Sequence, residues 1–272
     1  MTTFIDGAPA GSPYTFSNAD AQGPHQLRLL AEILDEHSTY VLSDTGIRAG
    51  WQCLDVGPGA GSITDWLAER VRPSGTVTAL DLDPRHLQSG DNITVRQGDV
   101  RTIDLPEAHY DLIHTRLLLL HLAEREMVLD RLVAALKPGG VLVVSDWDAQ
   151  WRHWLLHAPS HEAAEAFEAF QTGLLAELEA HGADLGWARR APLAMRAAGL
   201  VDIRATVHNQ LWSGGEPGCL LHVSNASQLH DPLLARGVTA AQLELLREAM
   251  HDQATLAYCY GMYTTVGYRP GA

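Results

Sequence analysis

Cysteine is scarce in this chain, and the three present, Cys53, Cys219 and Cys259, are too scattered to frame disulfides or a zinc site. Basic charge is also short: 19 Lys and Arg face 33 Asp and Glu, for a formal net charge of −14. Such a molecule repels a phosphate backbone at long range, which argues against nucleic acid as a partner. No uninterrupted apolar stretch reaches the roughly 20 residues of a membrane span, and no basic leader precedes an apolar segment. The expectation is a cytoplasmic protein without membrane association. Internal repeats and low-complexity segments are missing as well.

What is present is a strand, a glycine turn and a helix start: Leu54-Asp55-Val56-Gly57-Pro58-Gly59-Ala60-Gly61-Ser62. Glycines at 57, 59 and 61 lack a Cβ, so the backbone can turn sharply and let a ligand lie against its amides. A dinucleotide loop of the GxGxxG type would place its third glycine at 62, where Ser62 stands. Asp55, at the carboxyl end of the strand, puts a carboxylate beside the loop, which suits an amine or a sulfonium better than a diphosphate. Twenty residues past Gly61 a second strand ends at Asp81, placed to accept from two ribose hydroxyls. A third strand, Ile93–Gln97, closes on Gly98-Asp99-Val100, where a carboxylate can meet an adenine amino group while Val100 packs on the ring. A fourth, Tyr110–His114, leads into Thr115-Arg116-Leu117, and Leu136-Lys137-Pro138-Gly139-Gly140 turns into a fifth over Val141–Ser145. Ligands gathered at consecutive strand ends define one cleft.

Over residues 50 to 148 this series resembles the motifs of class I S-adenosylmethionine-dependent methyltransferases, with a small-molecule acceptor. The resemblance implies that Asp55, Gly57, Gly59 and Gly61 hold the methionine moiety and Asp81 the ribose. It further implies adenine contacts from Leu82, Asp99 and Val100, and backbone contacts near Thr115 and Arg116. S-adenosylmethionine is then the cofactor and S-adenosylhomocysteine its product. The Asn-Pro-Pro-Tyr motif of enzymes that methylate DNA bases is absent after the fourth strand, where His114-Thr115-Arg116-Leu117 stands.

The expected fold is α/β: a Rossmann-like sheet of seven strands, mostly parallel with the last antiparallel, helices on both faces, and a mainly helical lid. Residues 1–45 read as an arm, rich in Gly and Pro to Pro24, followed by an amphipathic helix through Leu27, Leu30, Ile33 and Leu34. Residues 46–148 form the cofactor core and 149–185 a helical lid insertion, with a helical pattern from His161 to His181. The remaining core, 186–272, holds a helix over Trp187–Ala198, a sixth strand over Asp202–Gln210 and a seventh over Tyr263–Tyr268. A second lid insertion, about 212–258, opens with the turn signal Ser213 to Gly218 and carries a helix over Ala240–His251.

Methyl transfer from a sulfonium is an in-line displacement that rests mainly on positioning. A base matters only for proton removal, and His121 and Tyr14 are the candidates, with packing or cofactor shaping the competing role of His121. His114, at a strand end, reads as a satisfied core histidine. His25 on the amino-terminal arm and Trp147 past the fifth strand are the candidate substrate contacts; Trp151, Trp154, Tyr258, Tyr260 and Tyr263 serve equally as core or pocket wall. His153, His157 and His161 have helical metal-ligand spacing, but Pro159 interrupts it, and Asp146 and Asp148 lack an Asp-Asn partner pair, so transfer without a metal is expected. A homo-oligomer is possible through a swapped arm. Two other classes stay open: an enzyme of this fold that cyclises or decarboxylates with the sulfonium's help, and a cofactor-binding protein without catalysis.

Overall fold

The computed structural model describes residues 22–150 and 154–271. Its centre is a seven-stranded sheet in the order β3-β2-β1-β4-β5-β10-β7. Those strands are β1 (Gln52–Val56), β2 (Thr76–Asp81), β3 (Ile93–Gln97), β4 (Tyr110–Arg116), β5 (Leu136–Asp148), β7 (Val201–His208) and β10 (Gly261–Tyr268). The first five pair in parallel, and β10 runs antiparallel to both β5 and β7. The order reverses between β1 and β4, so both strands open their carboxyl ends onto one crevice, the usual ligand position in such sheets.

Helices cover both faces because the strands are apolar on both, as parallel sheets require. On one side α2 (Ser62–Val71) and the second half of α1 (Gly23–Asp44) bury Ile63, Leu67, Val41 and Leu42 against Cys53, Val77 and Val143. On the other, α3 (Arg125–Ala135) and α5 (Trp187–Ala197) bury Leu129, Leu132, Trp187 and Met195 against Leu54, Ile113 and Leu142. Each large side chain so removed from water contributes about 1.5–3 kcal/mol.

Above the carboxyl ends lies a third core. The first half of α1 meets α4 (His161–Ala180), α6 (Pro217–Gln228), α7 (His230–Ala235) and α8 (Ala240–His251) around Phe167, Phe170, Leu174, Cys219 and Leu246. A small sheet, β6-β9-β8, fastens this layer at its edge with β6 Leu155–His157, β8 Leu211–Ser213 and β9 Leu256–Tyr258. The helix expected over Ala240–His251 has those bounds, and its Thr239–Gln242 capping box explains the sharp start. Strands of three residues and the six-residue α7 fall below the length at which periodicity shows, so neither was foreseen. The fifth strand is longer than expected: it pairs from Leu136, and the register shift between Tyr110 and Leu112 absorbs the Lys137 to Gly140 turn, with Gly139 at φ 78°. No helix among the described residues is long and apolar enough to cross a membrane.

Candidate functional site

The glycine turn after β1 has the backbone its residues foretell. Gly57, Gly59 and Gly61 sit at φ 67°, 60° and 87°, the left-handed region that L side chains avoid. A Cβ on Gly59 would lie 2.9 Å from Cδ2 of Leu27 in α1, so the turn and the covering helix are in close approach. The carboxyl of Asp81 accepts from the amide of Asp83 at 2.8 Å and is met by the Gly59 amide, which ties the end of β2 to the turn. Burial holds its pKa above the ordinary carboxylate value. Beside it, Leu82 is 39 % exposed, a bare apolar side chain next to an acid. An adenosine fits this pairing: ribose hydroxyls on the acid, a flat base on the leucine.

Asp99 is engaged by Arg101, whose guanidinium spans both carboxylate oxygens at 2.7–3.0 Å while its amide donates to Oδ1 at 2.9 Å. That contact holds its carboxyl below the usual range and fixes the loop on which Val100 is buried.

Three of the expected site residues are engaged within the protein itself. Asp55 does not face open space: it is 1 % exposed, with Oδ2 accepting from Thr64 Oγ1 at 2.7 Å and Oδ1 at 2.8 Å from His114 Nδ1. It braces β1 against α2 and β4, and so positions the glycine turn. Thr115 is buried within the ladder, paired with Val56 on one side and Val144 on the other. Arg116 extends to α1, where it meets Asp35 and Ser38 at 2.9 Å each. Its side chain clamps the covering helix to the end of β4.

Across the crevice from the turn, a small cavity of about 50 Å³ opens under the helical layer. It is framed by Leu117, Leu120 and His121 after β4, Trp147 at the end of β5, and Leu174 and Leu221 from α4 and α6. Two sequence-expected residues, His121 and Trp147, are thus brought together. His121 is buried, and desolvation with nearby Arg125 pushes its pKa down to about 4. His25 is not among the lining residues; its ring Nδ1 pairs with Arg28 at 2.9 Å, and the next residue, Gln26, takes the wall position. Gln26 Nε2 donates to Asn225 Oδ1 at 2.7 Å and joins α1 to α6 across the cavity. One residue along from His25 would have been the better reading, since the helical period that buries Leu29 and Ile33 also turns Gln26 inward.

Tyr14, Trp151 and His153 lie outside the described residues. His157 is in β6 and His161 opens α4, so they share no helix, and among the described residues no three His, Cys, Asp or Glu stand together as a metal set. Trp154 is in the upper core at 1 % exposure.

A methyltransferase-domain family model matches residues 24–193. Among curated relatives, the ubiquinone/menaquinone biosynthesis C-methyltransferase UbiE of Laribacter hongkongensis is 28 % identical over 120 residues, 41 % of this chain and 49 % of that protein. Methyltransferase str3 of Strobilurus tenacellus is 30 % identical over 185 residues, covering 64 % of this chain and 61 % of its own length. The chain thus spans about half the length of the UbiE relative and somewhat more of str3. A solved structure from Bacillus halodurans superposes with a TM-score of 0.55 at 14 % identity, over 85 % of this chain and 98 % of that one.

Proposed function

The chain belongs to the class I S-adenosylmethionine-dependent methyltransferases, and from that premise we propose that it methylates an O, N or C atom of a neutral, largely apolar small molecule, of the specialised-metabolite kind. The observation that carries this reading is the cavity across the crevice from the glycine turn, whose described lining residues include no Asp, Glu, Lys or Arg. An ionised acceptor would find no countercharge there, and desolvating it would be costly.

The residues present fit the cofactor, with Asp81 and Leu82 for the adenosine and the turn at Gly57 to Gly61 for the methionine end. When bound, S-adenosylmethionine supplies an electrophilic methyl on a sulfonium. The chain's own contribution is placement. Leu117, Leu120 and Trp147 hold the acceptor beside the strand ends, and the α1–α6 seam closed by Gln26 and Asn225 keeps water out. Bringing the reacting atoms to about 3 Å in line supplies several kcal/mol. Burial and nearby Arg125 push the His121 pKa down to about 4, which favours a part in shaping the cavity floor over proton removal. The formal charge of −14 supports a small-molecule partner over nucleic acid.

Incubation with methyl-labelled S-adenosylmethionine and an extract of the producing cells, followed by mass analysis of small molecules, tests this. A labelled product heavier by one CH₂ supports it; a converted but unlabelled compound would transfer the reading to the cyclising or decarboxylating class.

A further inference from the structure

A chain of three buried polar side chains runs from the helical layer to the cavity. His222 of α6 is 1 % exposed, Gln171 of α4 1 % and Tyr260, just before β10, 4 %. Gln171 Nε2 lies 3.2 Å from His222 Nδ1, and Gln171 Oε1 accepts from the Tyr260 hydroxyl at 2.7 Å. Polar groups at this depth are costly unless each bond has a use. Two of the three are deep in the layer, and only Tyr260 reaches the cavity wall.

The direction of these bonds decides what Tyr260 offers. Gln171 Nε2 can only donate, so His222 Nδ1 accepts from it, and burial, which pushes the His222 pKa down to about 4, keeps the ring neutral. Its edge-to-face contacts with Phe167 at 5.2 Å and Phe170 at 6.0 Å fix the ring plane. With Nε2 of Gln171 given to the imidazole, the amide oxygen turns to Tyr260 and takes its single proton. A phenol has one proton and two lone pairs, so what remains for the cavity is an acceptor. Beside it stands Trp147, its ring 5.1 Å from that of Tyr260 and its Nε1–H buried without a partner among the described residues. The wall therefore presents one lone pair and one N–H within a small area, the complement of a hydroxyl.

We propose that Tyr260, oriented by Gln171 and His222, is the residue that selects the acceptor, and that it selects a neutral molecule carrying a free hydroxyl on an apolar body. The inference rests on the methyltransferase reading of the same site. A methyl ether has no proton to give Tyr260 and a carboxylate meets a lone pair with a charge, so both are refused. Sites built around a donor discriminate strongly against analogues that lack it, because the buried partner is left unpaired.

The probes are 1-naphthol, 1-methoxynaphthalene and 1-naphthoate, titrated calorimetrically into the protein saturated with S-adenosylhomocysteine. The expected result is at least tenfold tighter binding of the naphthol than of the ether, with the naphthoate weakest. Tyr260→Phe brings naphthol and ether to within twofold of each other while S-adenosylhomocysteine affinity is unchanged. Gln171→Leu releases the phenol proton toward the cavity and shifts the preference toward the ether, a change that lost packing alone would not produce. A naphthol-to-ether ratio near one in the unaltered protein, binding of none of the three, or a ratio that survives Tyr260→Phe would overturn the assignment. Loss of S-adenosylhomocysteine binding in the unaltered protein would instead remove the reading of the site on which it rests.

Discussion

The two walls of the crevice are held by different means. The wall formed by β1, β2 and β3 is fixed by backbone: three glycines at positive φ, and carboxylates that bond amides two residues onward, Asp81 to Asp83 and Asp99 to Arg101. The helical wall is fixed by side chains from distant parts of the chain, Gln26 with Asn225 and Gln171 with Tyr260. A cofactor common to a family suits the first kind of wall, since backbone geometry is insensitive to drift elsewhere. An acceptor peculiar to one enzyme suits the second, where one side chain changes the fit.

That comparison can be broken at several points, the most severe first. Gly59→Val places a β-branched residue at φ 60° with its Cβ 2.9 Å from Leu27. The left-handed conformation alone costs about 1–2 kcal/mol. With the clash added, S-adenosylhomocysteine affinity should fall about 100-fold by calorimetry, 1.4 kcal/mol being tenfold. Retained affinity would place the cofactor away from this turn.

Asp55→Ala strikes the brace beneath the turn. It leaves Thr64 and His114 buried without their partner and should lower stability by about 1–3 kcal/mol in urea denaturation. A loss no larger than that of an exposed carboxylate would show that the brace holds nothing. Gln26→Leu opens the α1–α6 seam by one hydrogen bond and should cost about 1 kcal/mol. Its signature is faster amide exchange in α1 and α6 with α2 unaffected; exchange that rises equally in α2 would deny that the two walls are separately held.

The smallest effect concerns pH. Asp146 is wholly buried beneath the turn that carries His121, accepting from Trp187 Nε1 at 3.1 Å, and burial pushes its pKa up to about 8. The folded state therefore binds a proton that the unfolded chain releases near its ordinary value, so this group's contribution falls as pH rises from about 4 to about 8. His37, His121 and His222, all pushed down to about 4, act oppositely, but only below the ordinary histidine value of 6.5. Between pH 6.5 and 8 Asp146 acts without them, and Asp146→Asn should flatten the decline in stability there. A parallel decline in both proteins would assign it to another group.

The same contrast explains what could be read in advance. The glycine turn, Asp81 and the strand ends were legible because each depends on a few neighbouring residues and on φ angles that only glycine tolerates freely. The seven-stranded, mostly parallel sheet with its last strand antiparallel followed from the motif series for the same reason. The bond from Asp55 to His114 was not legible, because 59 residues separate the two and a strand-end carboxylate looks the same in sequence with or without such a partner. Tyr260 was open as core or pocket wall, but Gln171 and His222 carried no signal: 51 and 89 residues separate the bonded pairs, and only folding brings them together. Gly218 is similar, being obligatory because a Cβ there would lie 2.1 Å from Trp212, a neighbour visible only in three dimensions.

The most direct test of the two-wall account is a titration of S-adenosylhomocysteine into the unaltered protein, Asp81→Ala and Tyr260→Phe. The account predicts binding weakened by about 1–3 kcal/mol for Asp81→Ala, through lost ribose hydrogen bonds, and affinity within about twofold of the parent for Tyr260→Phe. Unchanged affinity in Asp81→Ala, or an equal loss in both variants, would contradict it.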